Sequence, residues 1–147
     1  MHLNKMKDPI RIAQTATVSA MGDSYCSLAW GSKLAKLAGG ETAAGVIAGG
    51  IPGDLSARET ALAEWCRAVV RDPMATTPDQ VASLREAGFD DREIFDATLL
   101  LSLRLAFSTV NDALGALPDR QLADEAPAPV RDAVSFGRPA SETPSLA

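Results

Sequence analysis

One helix-start signature recurs three times in the middle of this chain, and a stop signal separates each copy from the next. Ser56 with Glu59, Thr77 with Gln80 and Asp90 with Glu93 each set a short polar side chain three residues before a carboxylate or amide. At that spacing the first side chain accepts the N–H of the third residue inside the helix, while the later one reaches back to the amide of the first. Asp72-Pro73 and Gly88 supply breaks between them, because proline restricts the residue before it and glycine accepts the left-handed conformation that ends a helix. A chain punctuated in this way is committed to helices.

The first half follows the same logic. Asp8-Pro9 reads as a cap and first helical position, and Ile10, Ala13, Ala16, Thr17 and Ala20 recur at helical spacing up to Gly22. Asp23 or Ser24 starts a second helix in which Cys26, Trp30, Leu34 and Leu37 fall on one face before Gly39-Gly40. A short third helix spans about Glu41 to Ala48, weakened by Gly45, and a turn region of Gly49-Gly50-Ile51-Pro52-Gly53 follows. The fourth helix runs from Ser56 to about Arg71 with Ala61, Leu62, Trp65, Cys66 and Val69 as its apolar face, and the fifth ends at Gly88. In the last long helix Ile94, Phe95, Leu99, Leu100, Leu101, Leu103, Leu105 and Phe107 cover more than one face, so it is either central or half-exposed to a partner subunit.

Beyond Leu117 the composition turns to Pro, Ala, Ser and acidic residues, with Pro118, Pro127, Pro129, Pro139 and Pro144 excluding any long regular element except near Val130 to Val134. The expected organisation is therefore an all-α domain of about six helices over residues 1–117 and a C-terminal arm over 118–147. That arm is either disordered or laid across a neighbouring subunit. With 147 residues, 5% aromatics and no long β-branched alternation, one helical core is the natural outcome.

A net charge of −5 argues against a nucleic-acid partner, which requires clustered cations. The stretch from Ile94 to Phe107 is interrupted by Asp96, Ser102 and Arg104 and is too short for a bilayer, so no membrane span is expected. The N-terminal residues show no apolar signal core, and the two cysteines then point to a reducing, cytoplasmic setting. One histidine, His2, and two distant cysteines give no ligand spacing for a metal, and no cofactor motif is present.

Cys26 is the first candidate nucleophile. A thiol two or three residues inside a helix start lies near unpaired N–H groups and the positive end of the dipole, both of which favour thiolate. The plainer alternative is a small apolar residue packed beneath Trp30. Asp23 is either the cap or an acid or base beside the thiol. Cys66 reads as core filler or as a resolving thiol, and Arg104 as the partner of a carboxylate such as Asp96 or one from another subunit.

The segments "LSARETALAEWCRAVVRDP" and "LREAGFDDREIFDATLLLSLRLAFSTVNDALG" resemble helices of the alkylhydroperoxidase D-like branch of the carboxymuconolactone decarboxylase family, and the likeness covers roughly residues 10–118. In peroxidase members the resemblance implies a glutamate, a Cys-x-x-Cys pair and a histidine four residues after the second cysteine. Cys26 matches that second cysteine. Asp23 stands in place of the first, Trp30 in place of the histidine, and Arg11 near the glutamate position. The site so implied has Cys26 and Asp23 as catalytic residues and Tyr25, Trp30 and Arg11 around a substrate pocket. Arg11 would favour the thiolate if it folded back onto the helix start.

The resemblance implies thiol-dependent reduction of hydroperoxides. Cys26 would attack a small-molecule peroxide, and an external thiol reductant would regenerate it, because no resolving cysteine stands three residues away. It also implies a homotrimer or a hexamer. The alternatives are a decarboxylase or lyase acting on a small acid anchored by Arg11 or Arg104, and a non-catalytic oligomeric binding protein.

Overall fold

The computed structural model describes residues 9–143. Among them are eight α-helices and no strand: α1 (Pro9–Met21), α2 (Ser24–Ala38), α3 (Gly40–Ile47), α4 (Ala57–Arg71), α5 (Pro78–Glu86), α6 (Asp91–Ala113), α7 (Arg120–Glu125) and α8 (Ala128–Ala133), with a 3₁₀ turn at Pro73–Ala75. The fold is all-α, with two short helices added to the six expected. The expected cap at Asp8, and His2, lie outside the described residues.

All three capping boxes form. Ser56, Thr77 and Asp90 each accept the N–H of the residue three along, and Glu59, Gln80 and Glu93 each accept the N–H of the cap residue. Each such cap stabilises its helix by about 1 kcal/mol. Glu59 is nevertheless buried, so its box also closes a polar corner of the core.

The core is organised around α1, which packs against α2, α3, α4 and α6. Its Ile12, Ala13, Ala16 and Val18 are buried together with Leu28 and Leu34 of α2, Val46 of α3, Leu62 and Cys66 of α4, and Leu101 of α6. Small side chains along α1 allow neighbouring helices to approach closely enough for dispersion contacts to accumulate. Trp65, buried on α4, donates its indole N–H to Thr98 Oγ1 on α6 at 3.0 Å. Arg67 donates to the carbonyls of Val46 and Gly50 at 3.0 and 2.9 Å, satisfying the C-terminal end of α3. Gly45, expected only to weaken α3, has a packing role: a Cβ there would lie 2.7 Å from Cγ of Pro52.

The C-terminal residues depart from the expected arm. Residues 118–143 fold back on their own chain. Val130 of α8 is fully buried and α8 packs on α3 and α2. The docking depends on glycine, since a Cβ at Gly31 would approach Val130 Cγ1 to 3.0 Å and one at Gly40 would approach Pro129 Cγ to 3.2 Å. Pro118 is buried, and its carbonyl accepts the Ser141 amide at 2.8 Å. Among the described residues no helix is long and apolar enough to cross a membrane.

Candidate functional site

The α1–α2 junction needs only two residues. Gly22, at φ 82°, ends α1, and Asp23 donates its amide to the Val18 carbonyl at 3.1 Å while beginning α2. The carboxylate of Asp23 then accepts the Cys26 N–H at 2.9 Å. Asp23 is therefore the helix cap, as one of its two expected roles had it. The amide that would have stabilised a Cys26 thiolate is already committed to a carboxylate.

Cys26 is buried, with 3% of its surface exposed, and Asp23 with 1%. Burial and the neighbouring Asp23 carboxylate raise the thiol from 9.0 to about 11, against smaller lowering effects from Ser108 and Arg104. Two effects oppose the activation expected at the helix start: desolvation disfavours the charged thiolate, and the cap adds a negative charge beside it. Asp23 also acts with burial, the larger cause, to raise the Asp112 carboxyl on α6.

Two groups beside Cys26 were not singled out as site residues in the sequence. Ser108 of α6 sits next to the thiol, fully buried, with its hydroxyl out of hydrogen-bond alignment with any protein group. The second Asp23 oxygen is likewise buried without a partner. The other newcomer is the segment after α8. A Cβ on Gly137, at φ 71°, would lie 2.8 Å from both the Gly22 carbonyl oxygen and the Ser24 hydroxyl, and that hydroxyl donates to the Arg138 carbonyl at 2.6 Å. The C-terminal segment thus lies against the start of α2. Ser108 is four residues after Arg104, so the helical repeat of α6 held a signal for its position; no sequence signal locates Gly137.

The expected pocket residues disperse. Arg11 does not reach the start of α2: it donates to the Lys33 carbonyl at 3.2 Å, seven residues beyond Cys26 and about 10 Å farther along the helix. Tyr25 donates to the Asp119 carboxylate at 3.0 Å, tying α2 to the loop before α7, and this bond, with burial, raises its phenol above 10.0. Trp30 is half-buried, with Lys33 Nζ 4.3 Å and the Arg104 guanidinium 5.2 Å from its ring centre. Arg104 has no carboxylate partner among the described residues. Its Nε donates to Gln14 Oε1 at 2.7 Å, while Asp96 pairs with Arg92.

Cys26 and Cys66 are both free thiols. Cys66, fully buried, is pushed up to about 12 by burial, with Thr17 beside it, which suits core filler. Cavities open elsewhere. Two of about 380 and 550 Å³ share Gly49, Arg67 and Arg71, a third of about 430 Å³ lies under the C-terminal segment, and an apolar one of about 370 Å³ lies between α1, α4 and α6. Cys26, Tyr25, Trp30 and Arg11 line none of these four. Among the described residues no three His, Cys, Asp or Glu side chains cluster as a metal site would require.

No family model matches the chain, and no curated protein is similar enough to align with it.

Proposed function

We propose that this chain is a self-associating helical binding protein in which the redox position of the resembled family has become packed structure. The observation that carries this is the enclosure of Cys26. The one relay residue present is buried, deprived of its amide donor by Asp23, and raised to about 11. At that value only about one thiol in ten thousand is ionised at pH 7, against a few per cent for a free cysteine near 8.5.

Self-association is supported by α6. Phe95, Leu99, Leu103, Phe107, Val110 and Leu114, at spacings of three and four, are exposed along one face of a helix whose opposite side meets the core at Leu101. The exposed hydroxyls of Ser102 and Thr109 beside this stripe donate back to the carbonyls of Thr98 and Leu105 at 2.7 Å, so they need no water when covered. A second copy offers the same apolar surface. A trimer or a pair of trimers is the assembly the resemblance implies, and two free thiols fit a cytoplasmic setting.

The test is peroxide consumption in the presence of a small thiol, for wild type beside Cys26→Ser, with light scattering on the same samples. The expected result is no Cys26-dependent consumption and a mass above the monomer; Cys26-dependent turnover defeats the proposal. A second reading, the thiol peroxidase, keeps one favourable observation: Arg104 lies close enough to Cys26 to favour its thiolate.

A further inference from the structure

We propose that Arg104, with Trp30 and Lys33, forms a binding site for a small organic anion that has an oxyanion head and a flat apolar body. The proposal rests on the binding-protein reading above and adds the class of ligand.

Arg104 is held in place without a carboxylate partner among the described residues. Its guanidinium centre lies 5.2 Å from the Trp30 ring and 5.0 Å from that of Phe107, so it sits near two aromatic rings. Its Nε–H is bonded at 2.7 Å to Gln14, a side chain 4% exposed on α1. A buried amide that accepts this one N–H fixes the plane of the guanidinium, and the two terminal nitrogens have no protein partner among the described residues. Those terminal nitrogens are the edge that binds carboxylate or phosphate in a two-pronged manner.

Lys33 adds a second positive charge 4.3 Å from the Trp30 centre, which places the two cationic groups within about 10 Å of one another. Among the described residues neither is paired with a carboxylate, although this chain has 19 acidic residues to 14 basic ones. Arg58, Arg85, Arg92 and Arg120 each pair with one. Trp30 is half-buried, and its ring gives the flat body of a ligand an apolar wall beside the guanidinium.

The experiment uses benzoate and phenyl phosphate as probes and Trp30 emission as the readout, in full-length protein carrying Trp65→Phe so that a single indole reports. Expected are a saturable change with at least one of the two anions, which distinguishes carboxylate from phosphate heads, and none with uncharged benzamide. Arg104→Gln should weaken the response at least tenfold, and Arg92→Gln, which removes a surface pair, should leave it unchanged. Circular dichroism on each variant establishes that it is folded. Equal responses to benzamide, an unaltered Arg104→Gln response, or no saturable change in folded protein would overturn the site. An emission change on diluting the protein alone, with none on adding either anion, would assign the Arg104 partner to a second copy and also overturn it. Repeating the titration in Leu103→Glu separates the two proposals. Anion binding by a monomeric variant leaves the site standing whatever the assembly, and Cys26-dependent peroxide turnover strikes at the binding-protein reading alone.

Discussion

Replacing Leu103 by glutamate places a carboxylate in the middle of the exposed α6 face. Leu103 is 62% exposed in the single chain, with Phe95 at 63% and Leu114 at 83% on the same stripe, so the variant should fold as the wild type does. Fully burying an aliphatic or phenyl side chain stabilises by about 1.5–3 kcal/mol. The six stripe residues keep roughly 1–2 kcal/mol each of burial unrealised, or about 8 kcal/mol per copy. A symmetric pair doubles that, against an association cost of about 4–15 kcal/mol. Two copies of Leu103→Glu remove about 2–4 kcal/mol of this gain, and the desolvation of the two carboxylates brings the loss above about 3 kcal/mol. At 1.4 kcal/mol per factor of ten, the dissociation constant should rise more than about 100-fold. Light scattering across a dilution series reads this directly, as a transition to monomer displaced by at least two decades in concentration. A wild-type monomer at every concentration, or an unchanged assembly in the variant, would refute the assignment of α6 as the interface.

Two further outcomes follow from packing and charge. Gly45→Ala should lower the melting temperature of the protein, although alanine favours a helix by about 1 kcal/mol over glycine, because the added methyl meets Pro52 at 2.7 Å; a higher melting temperature would show that Pro52 yields freely. Stability should also fall as pH rises from about 9 to about 11. In that window the unfolded chain has released the Cys26 proton while the folded chain, with its thiol raised to about 11, still holds it. The slope is therefore negative, and the loss is on the order of 2–3 kcal/mol. Urea unfolding at successive pH values should show this loss in wild type and a smaller one in Cys26→Ser, since Cys66, raised to about 12, still contributes; identical pH profiles would contradict it.

The helices were readable because their starts are set by chemistry within four residues. The pairs Ser56 with Glu59, Thr77 with Gln80 and Asp90 with Glu93 satisfy backbone amides whatever the rest of the chain does. The docking of α8 was not readable, because it depends on the space left at Gly31 and Gly40, positions about 90 residues earlier that look like ordinary helix interruptions. The same division runs through the site. That Asp23 caps α2 is local and could be foreseen, whereas the state of Cys26 is set by its burial near Ser108 on a helix more than 80 residues away. Arg104 was noticeable as a charge in an apolar run, but its partner Gln14 was not, since an amide on an apolar helix carries no pattern that identifies it.

Whether the α2 start is packed structure or a reactive centre is decided most directly by the alkylation rate of Cys26 as a function of pH, followed by mass spectrometry so that Cys66 is counted separately. A midpoint near 11 with negligible modification at neutral pH is expected from the burial of the thiol and its carboxylate neighbour. A midpoint at or below the free-thiol value of about 8.5 would contradict it, and would return Cys26 to the role of nucleophile.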